Sequence, residues 1–372
     1  VPTGTGTEVA ARHRHLCSNA EFLLLCVRFF APVGSVFHAV ISGDPMTQRI
    51  ILIHGRNTKP AREPYEALQL KALIAGVARC DTGKADKLSD GSVKIDFAYY
   101  GHVNNRLLAK KTKIRAKMTE HDHAFGGAPC IPHAGVDQAI DAMLDITKFN
   151  ARAYSKILRN NKDFRWRDDF AAALSGIAAF FSNALLNEFV ISSATADMGA
   201  YLLTRKVGSE IRTILQEPLK AALLAGDDIC LISHSLGCIV AYDVLWKFSR
   251  MSEYKAVQVS GSSVKLWLTL GCPLGEAGVE HNLYDFHERG EDRYPLNIID
   301  DWLNIAAKDD FVAHDSTMKN SYRKMKKQKM LNSITDQEIY NCYAIGGVAN
   351  PHKLSGYLVD DKTGQAVADW IN

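Results

Sequence analysis

Short apolar runs recur along the chain, each bounded by turn-forming residues: Ile50–His54, Val93–Tyr99, Ile229–His234, Val264–Leu270, Leu303–Ala307 and Tyr340–Ile345. Their apolar positions are nearly continuous instead of alternating, which is the pattern of strands covered on both faces in a parallel sheet. Between the runs the period changes. Residues 64–79 carry Leu70, Leu73, Ile74 and Val77 on one helical face, and residues 237–249 carry Ala241, Val244, Leu245 and Phe248 at three-to-four spacing. Strand and helix in alternation predict an α/β fold, a mainly parallel sheet flanked by helices.

Residues 101–197 break this rhythm. They hold no strand pattern and separate the second predicted strand from the helix leading to the third. The segment opens on six basic residues and no acid over 101–118. Further on, residues 170–191 are apolar nearly all round but carry Asn183, Asn187 and Glu188, which argue against a membrane span. The segment predicts a mainly helical cap inserted into the sheet domain. At the amino end, residues 22–41 resemble an anchor or signal sequence in hydropathy, but Arg28 interrupts the run and Pro32 and Gly34 weaken a helix there. The first strand follows Met46 closely. Residues 1–45 are therefore expected to be a disordered leader or an over-extended start, with the folded domain spanning 46–372.

Composition narrows the function classes. The chain has 372 residues, with 44 basic against 41 acidic side chains, a formal charge of +3. That balance excludes a bulk nucleic-acid binder. Apolar residues at 47% and charged residues at 23% are those of a globular protein and exclude a disordered or collagen-like one. The eight cysteines include no CxxC pair, and three of them (Cys230, Cys238 and Cys272) lie inside apolar runs. This predicts free thiols in a reducing, cytoplasmic setting and no zinc ribbon.

The sharpest chemical signal is Ile229-Cys-Leu-Ile-Ser-His-Ser-Leu-Gly237. A buried strand ends here and a helix begins, with Ser235 on the turn. A nucleophile on so tight a turn needs small residues two before and two after it. Gly237 meets that need, and Ser233 stands where a glycine is usual. The Leu236 N–H, just after the serine, is placed to hold an oxyanion. The second apolar strand ending of interest is His54-Gly55-Arg56, whose loop offers a further N–H at Arg56. His54 itself reads either as a residue packing this loop or as one lining the substrate site.

A serine nucleophile needs a base, and the base an orienting acid. Asp310 follows the Leu303–Ala307 strand, with Asp309 beside it and Asp315 farther on as competitors. His352 follows the last predicted strand in the Asn350-Pro-His352 loop. The order Ser235, Asp310, His352 matches one known arrangement of the triad.

Together, His54-Gly55, Ser233-His-Ser-Leu-Gly237, Thr269-Leu-Gly-Cys-Pro-Leu274, Asp310-Phe-Val312 and His352 resemble the α/β-hydrolase superfamily. The resemblance covers about 46–100 and 198–372. Ser233–Gly237 with Ala241-Tyr242-Asp243, and Asn304-Ile305 with Asp310-Phe-Val-Ala313, are similar to segments of DDHD-type phospholipases A1, whose proline is Phe311 here. The resemblance implies an α/β-hydrolase fold with Ser235 as nucleophile, Asp310 as acid and His352 as base. It implies hydrolysis of a carboxylic ester through an acyl-enzyme, with no metal and no cofactor.

The substrate is then a small-molecule or lipid ester, and Phe180 and Phe181 in the cap are the residues expected to receive its acyl chain. Two other readings stand beside this one. The first is a phospholipase A1-like enzyme in peripheral contact with a membrane, through the basic run Lys319, Arg323, Lys324, Lys326, Lys327 and Lys329. The second is a non-catalytic binding protein on the same fold, for which Ser233 and Phe311 are the support. His121-Asp122-His123 reads as a solvated loop, since no third metal ligand lies nearby.

Overall fold

The computed structural model describes residues 46–109, 196–308, 310, 317–345 and 348–372, together with 121–122 and 128–129. Six strands form one all-parallel sheet: β1 (Gln48–Ile53), β2 (Lys94–Ala98), β3 (Asp228–His234), β4 (Val264–Leu270), β5 (Ile299–Ala307) and β6 (Ser333–Ile339). Their order across the sheet is β2-β1-β3-β4-β5-β6. The chain first moves outward from β1 to β2, then crosses back to β3 and proceeds the other way. The order therefore reverses between β1 and β3. In open α/β sheets that reversal, at the carboxyl ends of the strands, is where ligands bind.

Helices cover both faces. On one side lie α1 (Arg62–Ala78), α2 (Thr82–Ser89), α7 (Leu354–Val359) and α8 (Asp361–Trp370), packed over Ile50, Leu52, Cys230 and Ile232. On the other lie α3 (Gly101–Leu108), α4 (Ala196–Leu203), α5 (Arg205–Ala225) and α6 (Leu236–Arg250), packed over Ile51, Ile53, Ile229 and Leu231. Successive residues of β1 and β3 thus enter opposite cores, which is why these strands are apolar throughout. This is an α/β architecture. Among the described residues no helix is long and apolar enough to cross a membrane, and the described cysteines are all free.

The pattern reading differs from the structure in two places. The last strand is Ser333–Ile339, not Tyr340–Ile345, and only residues 344–345 of the latter pair, in a separate two-residue ladder with 348–349. As the edge of the sheet, β6 exposes much of its length and buries only Ile334 and Ile339, so it carries no continuous apolar run. Helix α3 belongs to the core through Val103 and Leu108, and a short antiparallel ladder joins His121–Asp122 to Ala128–Pro129. Finally, α1 turns Tyr65, Leu68, Gln69, Ala72, Leu73, Gly76 and Val77 inward, leaving Leu70 and Ile74 half-buried. Residues 1–45, the apolar stretch 170–191 with Phe180 and Phe181, and Asp309 lie outside the described residues.

The helix layer over β1 is tight. A Cβ on Gly364 of α8 would collide with the Gly76 carbonyl, and a Cβ on Gly76 would collide with the Leu358 carbonyl of α7. Neither neighbour is a flexible side chain, so the helices must separate to admit a methyl group. Gly364→Ala is expected to cost about 3 kcal/mol of stability, the upper end for overpacking. Urea denaturation reads this directly; an unchanged midpoint would mean that the three helices slide freely.

Two carboxyls are buried on the α6 side. Asp285 is bonded by the Tyr242 hydroxyl at 2.6 Å, and Asp243 by the Tyr201 hydroxyl at 2.6 Å and the Tyr284 N–H at 3.1 Å. Burial pushes Asp285 up to about 7 and Asp243 up to about 6, against the hydrogen bonds that pull the other way. A carboxyl whose pKa rises on folding stabilises the fold fully below its unfolded value near 3.8 and loses that contribution as pH rises through the folded value. Asparagine at 285 has no such dependence. The stability of Asp285→Asn relative to wild type is therefore expected to improve by about 2 kcal/mol between pH 5.5 and 7. Parallel pH–stability curves for the two proteins would rule out protonation of Asp285 on folding.

Candidate active site

The carboxyl ends of β1 and β3 bring the first elements of the site together. β3 ends at His234 and α6 begins at Leu236, so one residue makes the turn. Ser235 makes it at φ 54° and ψ −124°, a conformation side chains rarely adopt. The turn is held because the Ser235 N–H donates to the Leu270 carbonyl at 3.1 Å and the Cys238 N–H donates to the Ser235 carbonyl at 2.9 Å. Two glycines make room for it. A Cβ on Gly237 would lie 2.6 Å from the His54 carbonyl oxygen, and one on Gly55 would lie 2.7 Å from the Ser235 Cβ. The unusual Ser233 has a structural occupation: its hydroxyl accepts the Trp267 indole N–H at 2.9 Å and donates to the Leu268 carbonyl at 3.3 Å.

The other two sequence-predicted residues converge on this serine. His352 Nε2 lies 2.8 Å from the Ser235 Oγ, and His352 Nδ1 lies 2.7 Å from the Asp310 Oδ2. With Asp310 accepting from Nδ1–H, Nε2 is left facing the serine hydroxyl as an acceptor. Asp310 follows the end of β5, and its carboxylate is fully buried. A residue that the sequence did not single out completes the line. The Tyr357 hydroxyl, on α7, accepts the Ala307 N–H at 3.1 Å and donates to the same Asp310 Oδ2 at 2.5 Å. The tyrosine thus ties the acid to the strand end and to the helix behind the histidine.

His234 lies beside this line. Its Nε2–H donates to the His352 carbonyl at 2.9 Å, with the two rings 4.8 Å apart. Burial holds His234 well below the ordinary histidine range, and the neighbouring His352 and Lys59 add to the effect. Its chain position beside Ser235 was visible in the sequence; its bond to the His352 main chain was not.

On the β1 side, His54 is fully buried and stacks on Tyr100 at 4.1 Å. Its Nε2 accepts the Tyr100 N–H at 3.0 Å, so Nδ1 carries the proton and donates to the Gly55 carbonyl at 2.8 Å. Both ring nitrogens are taken by main chain, and burial keeps the ring neutral by lowering its pKa well below the usual value. His54 packs the loop, with both ring nitrogens occupied.

The loop it packs is braced from several directions. Buried Asp197, at the start of α4, accepts Arg56 Nε at 3.2 Å and the Asn57 N–H at 2.5 Å. The buried Lys59 ammonium donates to the Arg56 and Asn57 carbonyls. Asn104 donates to the Asn57 carbonyl at 3.1 Å, and Asn105 exchanges two hydrogen bonds with the Lys59 main chain. Burial works to raise the Asp197 pKa, but Arg56, the Asn57 and Met198 N–H groups and Lys59 outweigh it and hold the carboxyl below its usual value. Burial drives Lys59 well below the usual lysine range, helped by the charges of Lys353 and Arg56.

The structure therefore brings Ser235, Asp310 and His352 together, with Leu236 next in the chain at the start of α6 and Arg56 following Gly55 on the β1 loop. Leu236 opens α6, so its N–H belongs to the positive end of a fifteen-residue helix. An open depression lined by Lys265, Asp300, Asp301, Ser333 and Asp369 lies at the amino ends of β4, β5 and β6, the opposite end of the sheet from the serine. Among the described residues no cluster of three His, Cys, Asp or Glu is arranged to hold a metal ion. Compared with family models, with curated proteins and with solved structures, the chain matches none.

Proposed function

We propose that the chain is a serine hydrolase of the α/β-hydrolase type that cleaves a carboxylic ester through an acyl-enzyme. The observation that carries this reading is the unbroken line Tyr357–Asp310–His352–Ser235, ending on a serine with positive φ at a strand-to-helix turn. In the first step His352 Nε2 takes the Ser235 proton as Oγ bonds to the ester carbonyl carbon. The resulting oxyanion is received by the N–H groups of Leu236 and Arg56. Collapse expels the alkoxide, which His352 protonates, leaving an acyl group on Ser235. Water then attacks that carbonyl, giving its proton to His352, and the released Ser235 Oγ takes it back. Asp310 stays ionised and holds the imidazole in the required tautomer.

The non-catalytic alternative loses part of its support, because Ser233 departs from glycine for a reason of its own, the Trp267 indole. A phospholipid ester is the second reading. Arg323, Lys324, Lys326, Lys327 and Lys329 are all exposed, which is what contact with an anionic lipid surface needs. The direct test is reaction of the full chain with a fluorophosphonate probe, followed by mapping of the labelled peptide. Labelling is expected at Ser235 and absent from Ser235→Ala; labelling at another residue, or none on the folded wild type, would count against an activated serine.

A further inference from the structure

The oxyanion loop and the nucleophile helix come from different parts of the chain, and one short helix touches both. At its first turn α4 presents Asp197 to the β1 loop: Oδ2 accepts the Asn57 N–H at 2.5 Å, and Oδ1 accepts Arg56 Nε at 3.2 Å and the Met198 N–H at 3.0 Å. One turn later α4 presents Tyr201 to the nucleophile helix, where its hydroxyl donates to Asp243 Oδ2 at 2.6 Å. Asp197, Tyr201 and Asp243 are all buried. Asn57 itself sits at φ 78°, so the main chain just beyond Arg56 rests in a conformation that needs outside support.

We infer that Asp197 is a positioning residue for the oxyanion loop, fixing the Arg56 N–H against the Leu236 N–H through the span of α4; this rests on the hydrolase reading above. The carboxylate reaches no reacting atom. It acts by satisfying the Asn57 N–H and the Arg56 guanidinium together, which no neutral side chain of the same size does. Tyr201 holds the other end of the same strut. Because two donors aimed at a developing charge must keep their spacing, loosening one end is felt in the transition state and not in ground-state binding.

The test compares the full-length wild type with Asp197→Asn by two readouts. The first is hydrogen exchange over residues 55–58, which needs no activity. The second is steady-state hydrolysis of a short-chain p-nitrophenyl ester. Exchange in 55–58 is expected to rise at least ~10-fold while β1 and β3 stay protected. The kcat is expected to fall ~10²-fold with KM within a factor of about two, the pattern of a lost transition-state contact.

Unchanged exchange in 55–58 overturns the inference whether or not the chain hydrolyses the ester. Raised exchange with unchanged kcat overturns it too, as does a rise in KM that accounts for the whole loss. A wild type that neither labels nor hydrolyses sinks the hydrolase reading, and with it the catalytic meaning of the strut; the exchange result still shows separately whether Asp197 holds the loop. Should Asp197→Asn fail to fold, Arg56→Met keeps the main-chain N–H, removes the guanidinium arm and is expected to change both readouts in the same direction.

Discussion

Replacing Ser235 by alanine is expected to lower kcat for ester hydrolysis by about 10⁶-fold, the scale on which nucleophile and base act as one unit. The change removes a single oxygen. That oxygen's partner is His352 Nε2 at 2.8 Å, and the turn is held by main-chain bonds of residue 235 that alanine keeps. The strain at φ 54° is the same for both side chains. Stability is accordingly expected to stay within about 0.5 kcal/mol of wild type, so that lost activity is not mistaken for lost fold. His352→Ala should lose as much as Ser235→Ala, and the double variant little more. Residual hydrolysis in Ser235→Ala above a hundredth of the wild-type rate would show that another group attacks the ester.

Asp310→Asn is expected to cost about 10⁴-fold in kcat, the scale seen when a triad acid becomes an amide. One oxygen of Asp310 accepts two donors, His352 Nδ1–H and the Tyr357 hydroxyl. If the amide nitrogen turns toward them, two donors meet a third, and the histidine is driven to the tautomer whose Nε2 already carries a proton and cannot take one from Ser235. If the amide oxygen turns toward them, the bonds survive but the negative charge opposite the forming imidazolium is gone. The same substitution at the neighbouring Asp309 is expected to leave kcat within a few-fold. Equal losses at both positions, measured with one ester and checked by thermal unfolding, would leave Asp310 without a special role.

What was legible in the sequence follows from what each element meets. β1, β3 and β4 are covered on both faces and read as apolar runs, so their carboxyl ends, where the candidate site lies, could be found with no knowledge of pairing. Ser235, Asp310 and His352 were found because each follows a strand or lies in the loop after one. β6 was misplaced because an edge strand need bury only two side chains, and the apolar Tyr340–Ile345 segment drew the assignment past it. The supporting residues were not legible. Asp197 acts on a backbone N–H 140 positions away, and nothing in its local sequence distinguishes it from a solvated helix-start aspartate. Tyr357 and Lys59 read as ordinary core and loop residues until folding sets them against Asp310 and the Arg56 carbonyl. His54 packs among the rings of Tyr65, Phe97, Tyr99 and Tyr100, with both ring nitrogens bonded to main chain.

The strand order also bears on when the molecule becomes reactive. β1 is zipped to β3, with Gln48 opposite Asp228, and the serine at the tip of β3 is bonded to His352, which is bonded in turn to Asp310. On a ribosome the nucleophile emerges well before either partner. Until the 350–357 segment docks, the Ser235 hydroxyl lacks its bond to His352. Parallel sheets with such distant pairings form slowly and pass through partly assembled states. On the hydrolase reading proposed above, an intermediate that lacks the 350–357 segment has the serine turn without its base and forms no acyl-enzyme.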